Sequence, residues 1–297
     1  MASATMSIDW EDLSQMYGKY HYGQITEPVR GTIERQTKII LDLLEETDNK
    51  ATFFILGALA QYRPNLVKEI AARGHEIGIH SHRHDQMFTL NYDQAREDIS
   101  TAQKIVADII GGPVYGYRAP FFSVNRSNLY VLEILADLGL IYDSSIFPMK
   151  LPRYGISDFP TADRLYKLPT GKEIVELPMT VGNLMNRKWP VCGGGYMRLL
   201  PAFMVRKIFK TISANERDSM IYMHPYEFDS EPIDISGNYP GDAEYSKMKV
   251  AALNFRWNIF RPSIVGKLRS LLKEHHFVTA LTKAEEIRST TTAVPLQ

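Results

Sequence analysis

The chain has 297 residues, 44% apolar and 23% charged, enough to bury one large core or two small ones and too apolar for wholesale disorder. Its 34 Lys and Arg balance 34 Asp and Glu, which argues against a dedicated nucleic-acid or anionic-membrane protein while leaving room for a local basic groove. A single cysteine, Cys192, excludes an intrachain disulfide and a multi-cysteine zinc site.

Residues Met1–Met6 carry neither a basic stretch nor an apolar run of the secretory kind, and Met6 makes the first five residues read as a leader. No apolar run approaches the about 20 residues of a membrane span. The expectation is a soluble, cytoplasmic chain with a reduced thiol. The first predicted strand is Met6–Asp9. A helix follows over Gly31–Glu46, with Ile33, Thr37, Ile40, Leu41 and Leu44 along one stripe. Ala51–Leu56 reads as a buried strand, Asn65–Arg73 as a helix ended by Gly74, and Glu76–His80 as a short strand. Asp93–Ile110 is a long helix stopped by Gly111-Gly112-Pro113, and Val114–Arg118 is a strand. Ser127–Leu138 is a helix closed by Gly139, and Ile141–Asp143 is a strand. Val175–Pro178 and Met220–His224 are further strands, Ser263–Glu274 a helix, and His276–Leu281 completes the pattern. Six or seven strand–helix alternations predict an α/β barrel, in one domain over residues 6–285. Residues 286–297, which include the Thr-rich Thr290–Gln297, are expected to be a disordered tail.

In such barrels, sites lie at the C-terminal strand ends. The polar residues found there are Asp9, Glu11, Asp12, His80, Arg118, Asp143 and His224. Three of the eight histidines fall within His80-Ser81-His82-Arg83-His84. A helical continuation puts His80 and His84 on one face, and an extended one aligns all three. Either arrangement suits a divalent cation, with a carboxylate from Asp9-Trp10-Glu11-Asp12 as a further ligand and another as general base. Asp12 alternatively caps a helix starting at Leu13. Arg118 can pair with a carboxylate, and Pro120 stiffens a loop suited to presenting a backbone N–H to an oxyanion. His224 can act as a general acid. Gly193-Gly194-Gly195 lacks the lysine and hydroxyl of a phosphate loop and reads as a flexible loop facing substrate. Trp189, Tyr196, Trp257 and Phe122 are candidate sugar-stacking surfaces, and Asn254-Phe255-Arg256-Trp257 with Arg261 is a candidate segment closing the site.

Thr52-Phe53-Phe54-Ile55-Leu56-Gly57, Gly74-His75-Glu76-Ile77-Gly78-Ile79-His80-Ser81-His82-Arg83-His84 and Arg118-Ala119-Pro120-Phe121 together resemble the polysaccharide deacetylases of carbohydrate esterase family 4, the NodB-homology domain. The resemblance covers roughly residues 6–281. It implies a deformed (β/α) barrel and metal-dependent hydrolysis of N-acetyl groups on amino sugars. On that resemblance His80 and His84 are the metal pair, with zinc the expected ion, and His82 is a bystander. Asp9 is the catalytic base, tuned by Arg118, and Phe121 supplies the oxyanion N–H. His224 is the general acid, oriented by Asp143. Two departures stand out. Ser7-Ile8-Asp9-Trp10-Glu11-Asp12 replaces the family's T-F-D-D, which leaves Glu11 or Asp12 as the metal carboxylate. Strand alternation favours Glu11, which faces the same way as Asp9. Tyr222 stands where the L-x-H motif has leucine. The D-x-E-D form and Gly193–Pro201 resemble a bacterial branch linked to exopolysaccharide or surface-glycan synthesis, near peptidoglycan-deacetylase and allantoinase-like members. The implied partner is an N-acetylated glycan, with no nucleic acid and no membrane span, and a homo-oligomer is compatible. Two other readings are an allantoinase-like cyclic amide hydrolase and a catalytically silent glycan-binding domain.

Overall fold

A computed structural model describes residues 4–22, 25, 28, 31–151, 154–184, 187–214, 219–234 and 246–296. Strand β1 (Ala4–Trp10) leads into α1 (Leu13–Tyr22), α2 (Thr32–Glu46), β2 (Thr52–Ile55), α3 (Gly57–Tyr62), α4 (Pro64–Ala72) and β3 (Glu76–Ile79). Then come α5 (Tyr92–Ile110), β4 (Gly116–Tyr117), α6 (Tyr130–Asp137), β5 (Tyr142–Asp143), β6 (Arg164–Lys167) and β7 (Glu173–Glu176). A hairpin of β8 (Val181–Leu184) and β9 (Arg187–Pro190) precedes α7 (Gly194–Leu199), α8 (Ala202–Ala214) and β10 (Ser219–Met223). The chain ends through α9 (Lys247–Asn258), α10 (Ile264–Glu274), β11 (Phe277–Val278), α11 (Ala280–Thr290) and β12 (Val294–Pro295).

Every strand but those of the hairpin joins one sheet, in the order β10-β1-β2-β3-β4-β5-β7-β6-β12, with β11 also against β1. The pairs are parallel except β6–β7. Helices cover the strands, so β1 and β2 are buried at every position. Strand β2 reads as an apolar run, while β1 alternates Met6, Ile8 and Trp10 with Thr5, Ser7 and Asp9, of which Ser7 and Asp9 meet Arg118. Helix α2 turns Ile33, Ile40, Leu41 and Leu44 into the same core as Met6, Ile8 and Phe53. Each fully buried side chain of this size contributes about 1.5–3 kcal/mol. Thr37 shares that stripe because its hydroxyl accepts the Trp10 indole N–H at 2.9 Å. Helix α5 carries the reciprocal Asn91–Gln94 cap at its start and ends on left-handed Gly111.

Register sets the site. Ile8 pairs with Met223, which brings His224 level with Asp9. Ile79 pairs with Tyr117, which brings His80 level with Arg118. The strand expected over Val114–Arg118 is only Gly116–Tyr117, and the helix expected from Ser127 begins at Tyr130. There Asn128 closes a turn, accepting from Asn125 N–H (2.7 Å) and donating to the Ser123 carbonyl (3.0 Å). The expected disordered tail is instead structured as far as it is described. Helix α11 runs to Thr290, and β12 pairs Val294 with Tyr166 and Pro295 with Lys167, satisfying the open edge of β6.

Candidate active site

Beyond β1 the chain tightens, with Glu11 N–H donating to the Asp9 carbonyl at 3.0 Å. This turn brings the Glu11 carboxylate against His84 Nε2 and within 3.9 Å of His80 Nε2. One ligand atom from each of Glu11, His80 and His84 lies within 4.8 Å of the others, and all three residues are buried. His80 Nδ1 is 2.9 Å from the Arg118 carbonyl oxygen. It therefore carries the proton that bond needs and leaves the Nε2 lone pair facing Glu11. Burial holds His80 down to about 4, in the neutral form a metal ligand requires. Burial alone would raise the Glu11 carboxyl, but the imidazoles of His84, His224 and His80 bring it to about 2. Glu11 Oε2 receives no well-formed hydrogen bond. Two imidazoles and one carboxylate, crowded and dry, fit a divalent cation.

Asp12 faces elsewhere. Its carboxylate accepts Ser14 N–H (2.8 Å) and the Ser14 hydroxyl, capping α1, and it does not reach the histidines. Of the two carboxylates left open by the sequence, only Glu11 joins the cluster.

The histidine loop is built from Ser81 (φ 67°) and His84 (φ 56°), both left-handed, a conformation that costs a non-glycine residue of order 1–3 kcal/mol. Asp98 on α5 compensates by accepting the Ser81 hydroxyl, His82 N–H (2.9 Å) and Arg83 N–H (3.0 Å). The same bonds hold His82 outside the cluster, over Gly57 of α3. Asp98 is a supporting residue that sequence reasoning missed; its signal was a carboxylate at a buried position of an otherwise amphipathic helix.

Arg118 is fully buried. Nη1 donates to Asp9 Oδ1 (2.6 Å) and Ser7 Oγ (2.8 Å), Nε to the Ser144 carbonyl (3.1 Å), and the guanidinium lies 4.3 Å from the centre of the Phe54 ring. The expected Arg118–Asp9 pair is thus present, with Oδ2 of Asp9 left for other work. After Arg118, Phe121 (φ 55°) and Phe122 (φ 51°) are also left-handed. The Phe121 ring meets His84 at 4.8 Å, and the Phe121 N–H donates to no group among the described residues. Phe122, expected as a sugar surface, is buried against Phe147, Tyr154 and Tyr222, because the second left-handed residue turns its ring into the core. Tyr196 on α7 and Trp257 on α9 are half-buried, and Trp257 meets Tyr226, whose ring stacks on His224 at 5.3 Å.

His224 Nε2 lies 3.5 Å from Glu11 Oε1. Its other ring nitrogen faces Glu227 Oε2 at 3.3 Å, and Glu227, not Asp143, is its partner. Burial opposes the charged imidazole, but the Glu227 bond and charge, with Glu11 and Asp9, raise His224 to about 9. Asp143 instead accepts the Ser145 hydroxyl (2.5 Å) and faces Glu176 on the neighbouring strand, with which it is in register. Burial pushes Asp143 up to about 6, and burial together with Asp143 pushes Glu176 well above the usual carboxylate range. Ser145 Oγ also accepts Ala119 N–H (2.7 Å), so this pair braces the turn that carries Phe121. The glycine run is no flexible loop. Gly193 and Gly194 are buried at the start of α7, where a Cβ on Gly194 would collide with the Glu227 carboxylate and one on Gly193 with the Tyr222 ring. Arg261 closes nothing; it is buried, bonded to the carbonyls of Tyr226 (2.9 Å) and Glu231.

These features define a class, a deformed (β/α) barrel whose strand ends assemble a carboxylate–imidazole site beside a buried Asp–Arg pair. Residues 28–142 match the polysaccharide deacetylase family model, and residues 144–284 match a domain of unknown function, DUF3473. Over residues 28–142 the chain is therefore similar to the polysaccharide deacetylases of the NodB-homology type. A peptidoglycan-N-acetylglucosamine deacetylase of Bacillus cereus is 37% identical over 93 residues, covering 31% of this chain and 34% of that protein. Chitin deacetylase 1 of Cryptococcus neoformans is 28% identical over 104 residues, covering 35% and 22%. The chain therefore spans about a third or less of the length of these relatives. Two solved structures share the fold. A polysaccharide-deacetylase candidate from Mycobacterium smegmatis has a TM-score of 0.62 at 18% identity, over 100% of this chain and 95% of that one. An allantoinase has a TM-score of 0.61 at 17% identity, over 99% and 91%.

Proposed function

We propose that this chain hydrolyses N-acetyl groups of amino-sugar units in a glycan, of surface, exopolysaccharide or peptidoglycan type, releasing acetate. The observation that carries the reading is the meeting of Glu11, His80 and His84 with Asp9–Arg118 on one side and His224 on the other. Relatives that act on peptidoglycan and chitin support the substrate class. Glu11, His80 and His84 would hold a divalent cation, zinc in our reading. When bound it supplies Lewis-acid polarisation of the acetamide carbonyl and acidifies the attacking water.

The chain's own residues do the rest. Arg118 occupies Asp9 Oδ1, which leaves Oδ2 to take the proton of the attacking water. The Phe121 N–H donates to the carbonyl oxygen as negative charge develops on it. His224, charged and oriented by Glu227, gives its Nε2 proton to the departing amine. The test is acetate release from N-acetylglucosamine oligomers and peptidoglycan fragments, with metal content measured on the same samples. Acetate release that is lost together with bound metal in His84→Ala supports the reading. Turnover of allantoin instead, or full activity in His84→Ala, overturns it.

A further inference from the structure

At the junction of α7 and α8, Leu199-Leu200-Pro201-Ala202-Phe203-Met204 is an unbroken apolar run, and most of it faces solvent, with Leu199 54% and Phe203 65% exposed. Val205, Phe209 and Ile212 turn the other side of α8 into the core. An exposed run of this kind marks an interaction surface. A second apolar pair, Phe255 (69%) and Phe260 (59%), stands at the end of α9, a helix that buries no residue. The two belong to one face. Arg198, beside Leu199, donates to the carbonyls of Trp257 (3.0 Å) and Arg256 (3.1 Å), and Lys267 of α10 donates to those of Met197 and Arg198.

Charge selects the occupant. Residues 198–214 and 246–273 carry eleven Lys or Arg and no Asp or Glu, in a chain of zero net charge. Arg206 pairs with Glu274, and Arg269 and Lys273 pair with Glu46. Lys207, Lys210, Lys247 and Arg256 stay exposed with no acidic partner among the described residues. A second copy of the same face would oppose like charges, and an acidic polysaccharide would gain nothing from Leu199 and Met204. We propose that this face docks on an anionic phospholipid surface, with Leu199 and Phe203 entering the headgroup boundary and the lysines meeting lipid phosphates. The contact is peripheral, since no helix among the described residues is long and apolar enough to cross a membrane. Helix α9 also packs Val250, Leu253 and Trp257 on Leu13 and Tyr226, beside His224, so docking brings the barrel mouth to the same surface.

The experiment is co-sedimentation of the full chain with phosphatidylcholine vesicles, with and without phosphatidylglycerol. The chain pellets with the anionic vesicles, does not pellet with phosphatidylcholine alone, and is released by salt. Phe203→Ser weakens pelleting. Lys207→Glu with Lys210→Glu weakens it by at least about 20-fold, at about fivefold per charge near an anionic surface. Unchanged melting temperatures establish that the variants fold. Wild-type chain left in the supernatant with anionic vesicles at low salt, or patch variants that pellet as wild type does, overturns the proposal. So does retention on an acidic-polysaccharide resin without vesicle binding, or a dimer that Phe203→Ser dissociates.

Discussion

A single carboxylate fixes both the main chain and the ring of one histidine: Glu227 Oε2 accepts His224 N–H at 2.9 Å and lies 3.3 Å from His224 Nδ1. Local sequence builds this, with Pro225 opening a 3-10 turn and Glu227 three residues after the histidine reaching back to cap it. Gly194 provides the space the carboxylate occupies. Glu227→Gln keeps the shape and removes the charge. It is expected to lower kcat for acetate release by about 10- to 100-fold with little change in KM, within what a general acid contributes. Glu227→Asp should recover part of the loss, and Gly194→Ala should shift kcat downward by displacing the carboxylate. Steady-state kinetics of the three variants check this.

The Arg118–Asp9 pair is buried, so breaking it from one side leaves a charge without its partner. Arg118→Met is expected to cost about 3–5 kcal/mol in chemical unfolding. Adding Asp9→Asn should return part of that loss. A double-mutant cycle measures the coupling, and strictly additive losses would contradict the pairing as the source of the cost.

Glu11 and Asp12 separate cleanly by variant. Glu11→Ala is expected to abolish stoichiometric metal binding. Asp12→Ala is expected to retain it and to lose about 0.5–2 kcal/mol of stability through the α1 cap. Metal analysis of both proteins, alongside their unfolding curves, reads the two effects separately.

The Asp143–Glu176 pair carries a pH signature. Both carboxyls bind their proton more tightly folded than unfolded, Asp143 at about 6 against an ordinary 3.8. A raised carboxyl lends stability that is complete below its unfolded value and is lost as pH rises through its folded value. Wild-type stability is therefore expected to fall between pH 4 and 7 relative to Glu176→Gln, the variant that removes the more strongly raised carboxyl. Urea unfolding across that range tests it, and parallel curves would contradict the account.

Much of the framework was legible in the residues. The stripe of α2, the Gly111 stop of α5, the apolar run of β2 and the alternation of β1 follow from local periodicity and backbone preference, which chain neighbours alone express. So do His80 and Asp9 at strand ends and the His80–His84 pair, because a motif confined to a few consecutive residues carries its own geometry. The stretch from β6 to α9 was largely illegible. Within it Val175–Pro178 and Met220–His224 are legible as strands, but β6, the β8–β9 hairpin and the helices α7 to α9 are not, because antiparallel pairing and a hairpin outside the main sheet break the strand–helix alternation. Phe122 and Gly194 were misread for a related reason, since a ring's burial and a glycine's necessity depend on neighbours distant in the chain.

Composition, periodicity and short motifs by themselves determined an α/β barrel and which residue types stand ready at its mouth. Only the tertiary structure decided which of them meet: Glu11 rather than Asp12 with the histidines, Glu227 rather than Asp143 with His224, and Asp98 beneath the histidine loop. The reason is register. Pairing Ile8 with Met223 sets residues more than two hundred positions apart side by side, and one residue of slip would turn every such side chain to the opposite face of its strand.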